Sequence, residues 1–295
     1  MSVKKIIITS GTYQNRELRL LVSFDENDKP IDLINLDITR VGEVHEATVE
    51  KVLNDIDACI LKLDCGEKGF IENKKLKPEY FLERHSENKL VCQGDKFFIQ
   101  ISQDKKGSKP YSCDFMPNPS NDCKNQNFIS YYIDNFSIEG YEIVSDLPEI
   151  IESDLDIKPY YDEQVSLWSL YGLTSILDKA LSKVVYLKSG ANIIIEPTEA
   201  LTVIDVNTSK SYCKASAMNT NIEALSEIAH QLKLRSISGI IIIDLLKVSK
   251  DHEKELLKLA RELFSEDISQ VLVHGFTRLG LLEITRSRII APFKA

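Results

Sequence analysis

The 295 residues are 43% hydrophobic and 27% charged, with a formal net charge of -9. That supplies a sizeable core and excludes a basic-coated surface, although a local basic groove can sit on an acidic body. Six cysteines without a CxxC pair argue against a disulfide scaffold or a zinc site, and no apolar run approaches the ~20 residues that cross a bilayer, so two domains in the cytoplasm are the expectation.

Residues 4–37 read as a meander. Ile6-Ile7-Ile8-Thr9, Glu17 to Phe24 and Ile31 to Leu36 are strand-like, with turn clusters at Ser10-Gly11-Thr12 and Asp25 to Pro30. Three such strands need a partner layer from later in the chain. Residues 41–103 follow with short strands and Gly turns, among them Val41 to Val52, Ala58 to Gly66, Lys68 to Ile71 and Lys96 to Ile101. This pattern fits a five-stranded OB-type barrel.

Periodicity lapses over 104–127, which combines the basic turn Lys105 to Pro110 with the loop Met116 to Asp122. Phe128 to Ile133 and Tyr141 to Val144 are strand candidates, and the acidic run 146–156 reads as a solvated connector. A helical stripe runs from Gln164 to Ser182, with Trp168 read as packing rather than a platform for bases. A helix over 220–235 opens with Thr220-Asn221-Ile222-Glu223, the spacing of a capping box, and presents Ile222, Leu225, Ile228, Ala229 and Leu232 as its apolar face. A further helix over 250–264 feeds the strand Val271 to His274.

The centre of the pattern is residues 191–246. The apolar run Ala191 to Asn207 contains Asp205, and Gly239 to Leu246 contains Asp244, with the helix between them. Strand, helix and strand in that order predict a parallel pair, which brings both carboxylates to one carboxyl-terminal sheet edge. A lone aspartate there caps a helix or forms a turn. Two on adjacent strands repel and call for a cation or a shared proton. Few, hard oxygen ligands with open positions suit Mg²⁺, with Mn²⁺ an alternative. Asn207, two residues after Asp205, points to the same face. With no Cys–His or Ser–His arrangement nearby, metal-assisted hydrolysis is the leading chemistry.

On the barrel, single-stranded nucleic acid would need an aromatic to stack on and cations along the phosphates. Phe70 after Gly69 is placed for that, or belongs to the barrel core. Lys105, Lys106 and Lys109 can meet phosphates, or form a solvated turn.

The chain resembles the ribonuclease E/G endoribonucleases. The resemblance is carried by Pro197 to Asn207, Asn219 to Ala224, Ile228 to Arg235, Gly239 to Asp244 and Thr277-Arg278-Leu279-Gly280-Leu281-Leu282-Glu283-Ile284-Thr285-Arg286, and at the front by Val41 to Phe70. It implies an α+β multidomain chain. An RNase H-like subdomain over 1–37 and 128–185 would be interrupted by an S1 barrel over 38–110, with a loop over 111–127 in place of a 5′-sensor. A DNase I-like catalytic subdomain over 186–295 would follow. It also implies Asp205 and Asp244 as magnesium ligands, Asn207 as a supporting catalytic residue, and Phe70, Lys62, Lys106, Lys109 and Arg278 as RNA contacts.

Lys62 stands where the family carries an aromatic, and Gln270 where it carries a basic residue. The stretch between Pro110 and Phe128 is short for a 5′-sensor, and the paired zinc cysteines of the family are not in the sequence, so a zinc-linked dimer is not expected. The leading expectation is Mg²⁺-dependent cleavage of single-stranded RNA by metal-activated water, in RNA processing or decay. The rivals are an RNA-binding relative without turnover and a hydrolase of small phosphate compounds.

Overall fold

The structure is a computed structural model that describes residues 3–119, 127–135, 140–153, 155–208, 216–265 and 267–293. Contacts divide it into two compact units, one of residues 38–137 with 289–291 and one of the remainder.

The larger unit begins with β1 (Lys5–Tyr13), β2 (Arg16–Phe24) and β3 (Pro30–Asn35), an antiparallel meander. The expected turn at Ser10-Gly11-Thr12 is instead strand, and the chain reverses at Gln14 and Asn15, both at positive φ. Gly11 lies under the Trp168 ring, which a Cβ at this position would hit, so here a strand glycine marks close approach rather than a turn.

The smaller unit is a closed barrel. Its strands are β4 (Val44–Leu53), β5 (Ala58–Leu63), β6 (Lys68–Glu72), β7 (Lys96–Gln103) and β8 (Tyr111–Phe115), in the order β4-β5-β6-β8-β7. Alternate residues point inward, and Val49, Leu61, Ile71, Phe97, Ile99 and Cys113 build the core. The barrel therefore runs past the expected boundary at 110, and residues 111–115 are strand, not loop. β8 pairs parallel to β6 and antiparallel to β7, which closes the ring. Its mixture of Ser112, Cys113 and Asp114 after a proline hid the alternation.

Phe128 to Ile133, read as a strand, belongs to helix α1 (Phe128–Asn135). Asn127 Oδ1 accepts from Ile129 N and Ser130 N, and a capped first turn outweighs the local aromatic and β-branched content. This helix falls within the barrel's unit.

The larger unit resumes with β9 (Glu142–Ser145), which joins β1 in parallel. It continues through helix α2 (Pro148–Ile151), inside the acidic run read as connector, to β10 (Lys158–Pro159), giving the order β10-β9-β1-β2-β3. The single helix expected over 164–182 is two, α3 (Leu167–Leu170) and α4 (Leu173–Leu181), because Gly172 sits at φ +58 and breaks the ladder. Trp168 is buried in this core, as expected, and its Nε1 donates to Thr174 Oγ1 at 3.0 Å.

The second sheet holds β11 (Val184–Tyr186), β12 (Asn192–Pro197), β13 (Leu201–Asn207), β14 (Gly239–Asp244), β15 (Val271–Phe276) and β16 (Leu282–Arg286), in the order β11-β12-β13-β14-β16-β15. The run 191–207 is a hairpin rather than one strand, turning after Pro197, where Thr198 Oγ1 donates to Leu201 O. Helices α5 (Ala217–Leu234) and α6 (Lys250–Ser265) cover one face. Leu225, Ile228 and Leu232 of α5 are fully buried with Ile204, Ile241 and Ile243, each contributing roughly 1.5–3 kcal/mol. The cap of α5 is Ser216, whose side chain accepts from Asn219 N; Thr220 is buried inside the helix and Ile222 is 37% exposed, so the expected cap and one expected core position shift.

Candidate functional site

β13 and β14 pair in parallel, with Asp205 directly opposite Asp244. Ile204, Val206, Ile241 and Ile243 face the helices, and a period of two sends Asp205, Asn207, Ile242 and Asp244 to the opposite face. Asp205 is half-buried, and its Oδ2 accepts from Asn207 Nδ2 at 2.7 Å. Among the described residues no cation pairs with either aspartate, and the carboxylate of Asp244, exposed at the strand end, has no hydrogen-bonding partner. Two convergent carboxylates and an amide form a hard, all-oxygen donor set with open positions. That chemistry fits a small divalent cation.

The crossover from β13 to β14 fixes this edge. Asn221, fully buried in α5, donates from Nδ2 to Leu246 O at 2.8 Å and accepts from Leu246 N at 2.9 Å, so the chain just beyond Asp244 is held at two points. The carboxylate of Glu223 accepts from Lys188 N and Ser189 N and braces the turn before β12. Sequence reading placed Glu223 in a capping box opened by Thr220, gave Asn221 no role of its own, and missed both contacts; the signal was an amide at a position that α5 periodicity makes core.

Arg278 lies exposed in the turn between β15 and β16, beside Leu279, which is 86% exposed. Ile243 pairs with Leu282, so this turn is at the sheet edge of Asp244. The sequence motif ends on Arg286, which serves structure. It forms a buried two-point ion pair with Asp267 (Nε to Oδ2 2.8 Å, Nη2 to Oδ1 3.1 Å) and donates to Ile237 O.

On the barrel, Phe70 stands outside the core. It is half-buried on the outer face of β6, opposite Ile60 and Ser112. Lys62 shares that outer face, two residues along β5 from Ile60 and opposite Lys68. Lys106 and Lys109 are exposed in the turn between β7 and β8. The neighbouring Lys105 pairs with Glu67 of the β5–β6 turn and lies over the Tyr111 ring. One barrel end thus collects Lys62, Lys106 and Lys109, none with an ion-pair partner among the described residues.

Close convergence of three metal-capable side chains occurs, among the described residues, only at His45, Asp64 and Cys65 on the barrel. His45 is already spanned by Glu43 Oε2 at 2.9 Å and Asp64 Oδ1 at 2.6 Å, and Arg40 Nη1 reaches Cys65 Sγ at 3.5 Å. The hydrogen bond to Glu43 raises the His45 pKa, burial opposes, and Asp64 raises it further. With Arg40 in place this is an ion-pair network. Cys59 and Cys113 are free and buried, their thiols pushed up to about 11 and about 12 by burial; Cys123 and Cys213 lie outside the described residues. No helix among the described residues is long and apolar enough to cross a membrane.

A family model described as the Ribonuclease E/G family matches residues 112–289. Ribonuclease G of Haemophilus influenzae is 42% identical over 133 residues, 43% of this chain and 27% of its own length. The putative ribonuclease E of Buchnera aphidicola is 35% identical over 170 residues, 52% of this chain and 42% of its own length. Ribonuclease E of Haemophilus influenzae is 34% identical over 164 residues, 50% and 18% respectively. The matched stretch is less than half the length of each of these relatives. The match spans β8, the second sheet and both of its covering helices, with Asp205, Asn207 and Asp244 inside it, and the chain belongs to the ribonuclease E/G family.

Proposed function

We propose that this chain is an endoribonuclease that cuts single-stranded RNA with the help of a divalent cation, Mg²⁺ or Mn²⁺, in RNA processing or decay. The observation that carries the reading is the in-register pairing of Asp205 with Asp244, flanked by Asn207, on the sheet face opposite the one packed against α5 and α6. Family membership supports ribonuclease chemistry, as the relatives' names are ribonuclease E and G. In this reading the barrel is the S1 module, the first sheet the RNase H-like part and the second sheet the DNase I-like catalytic part.

Asp205 and Asp244 would hold the cation, which when bound lowers the pKa of water and shields phosphodiester charge. Asn207 fixes the rotamer of Asp205 through its Nδ2 and keeps its own carbonyl oxygen free for a water. Asn221 keeps the Asp244 strand end in register. Water attacks phosphorus in line, one P–O bond forms, the bond to the 3′ oxygen breaks, and a proton passes to that oxygen. The products carry a 5′-phosphate and a 3′-hydroxyl. Phe70 offers a ring for base stacking, and Lys62, Lys106, Lys109 and Arg278 offer charge to phosphates.

Asp205→Asn and Asp244→Asn are each expected to lower cleavage of a short unstructured RNA about 10³-fold, equivalent to about 4 kcal/mol, with the fold retained by circular dichroism. Undiminished cation-dependent cleavage by either folded variant would sink the proposal. Lys62 in an aromatic's place favours a second reading, an RNA-binding relative without turnover. That reading is selected if the wild-type chain binds this RNA and leaves it uncut in Mg²⁺ and in Mn²⁺.

A further inference from the structure

We propose that Glu283 is an outer-sphere partner of the cation at Asp205 and Asp244, accepting a hydrogen bond from one of the waters that complete its shell. The inference rests on the reading that the two aspartates hold a cation. It starts from the register of the second sheet. Ile242 pairs with Glu283, so their side chains share a face, and Ile242 shares that face with Asp244. The flanking Leu282 and Ile284 are buried against the helices on the other side. Glu283 is therefore the diagonal neighbour of Asp244 on the adjacent strand, about 7–8 Å away by strand geometry and within reach of a long side chain.

One register step back from the aspartates, the sheet presents the row Glu196, Val203, Ile242, Glu283. A carboxylate stands at each end of this row, and the two differ in one respect. Glu196 is exposed and ion-paired with Lys183. Glu283 is half-buried, and its carboxylate has, among the described residues, neither an ion pair nor a hydrogen bond. Partial burial of an unpartnered carboxylate costs stability unless something answers it.

The aspartates supply what would answer it. Two protein ligands leave most of the octahedral shell of Mg²⁺ to water, and those waters are strong donors in need of acceptors. The carboxylate oxygens of Glu283, Asp205 and Asp244 do not all lie within 4.8 Å of one another, so the three do not form a ready set of direct ligands, and the role proposed for Glu283 runs through a bound water. Its role is to position the shell; the direct ligands remain the two aspartates.

The test is Mn²⁺ binding to the full chain, read by the electron paramagnetic resonance signal of free Mn²⁺ without RNA. Wild type, Glu283→Gln, Glu283→Ala, Glu196→Gln and Asp244→Asn are compared, each with a metal-free melting curve. Outer-sphere partners typically affect metal affinity 10–100-fold, so Glu283→Gln and Glu283→Ala are expected to weaken Mn²⁺ at least 10-fold with little change in metal-free Tm. Glu196→Gln is expected to stay within twofold of wild type, and Asp244→Asn to lose binding. Wild-type affinity in both Glu283 variants, with binding lost in Asp244→Asn, overturns the proposal and leaves the cation site standing. Affinity that tracks a fall in metal-free Tm instead of loss of the carboxylate also overturns it. Equal binding by wild type and Asp244→Asn, or none by wild type, overturns the cation site and the proposal with it.

Discussion

Asn221 holds both backbone groups of Leu246 from inside a helix core, and removing its amide leaves a partly buried N–H and a partly buried C=O without these partners. Asn221→Ala is expected to cost about 1–3 kcal/mol, read by chemical denaturation, and to lower cleavage more than that loss alone explains, because Leu246, which Asn221 holds, is two residues from Asp244. Arg286 and Asp267 form a nearly dry pair at the far end of the same sheet. Asp267→Asn strands a buried guanidinium and is expected to cost about 3–5 kcal/mol. Arg235 is also buried, which pulls it down to about 10, and it donates to Ser182 O and Lys179 O, satisfying carbonyls at the end of α4. Both arginines lie in stretches that resemble an RNA enzyme, yet each is committed to carbonyls and carboxylates inside the fold. The aspartates were legible in the sequence because each closes an apolar run. The buried polar partners were not, since a helix pattern marks a core position without saying what an amide there will meet.

Elements were most legible where the hydrophobic period was long. α5, α6 and the parallel pair β13–β14 follow from their spacing, and the barrel from its short strands and glycine turns. Misreadings fell where one side chain overrides local composition: Asn127 caps a helix through an aromatic run, Gly172 splits another, and Gly11 admits Trp168 in mid-strand. Gly11→Ala forces the Trp168 ring of α3 away from β1 and is expected to destabilise the larger unit by about 1–3 kcal/mol, measured by thermal or chemical unfolding. On the barrel, the lysine cluster makes a separate prediction. Lys106→Ala with Lys109→Ala is expected to flatten the salt dependence of single-stranded RNA binding by about 0.7 per lost phosphate contact in the log–log slope. An unchanged slope would remove both lysines from the RNA path.

Across the whole molecule, the two units carry opposite responses to pH. In the larger unit, burial raises the pKa of Glu227, but hydrogen bonds from His230 and Gln231 and the charge of Lys29 prevail and hold it at about 2, tying α5 to β3. A depressed carboxylate stabilises the folded state above its unfolded value near 4.5, and this stability is lost as pH falls from there toward 2. In the barrel, His45 is raised above 6.5 by Glu43 and Asp64. Its contribution is complete below 6.5 and is lost as pH rises through the folded value. Calorimetry across pH is expected to show Glu227→Gln removing part of the acid limb and His45→Asn part of the alkaline limb.

The first sheet leaves the chain at Asn35 and recovers its next strand at Glu142. During synthesis at about 5–20 residues per second, the intervening stretch of roughly a hundred residues takes on the order of 5–20 s to emerge. Through that interval the outer edge of β1, with Ile6, Ile7 and Ile8 in sequence, has no β9 to pair with. Nascent chains are therefore exposed to edge-to-edge association at this strand, and slower translation would lengthen that exposure.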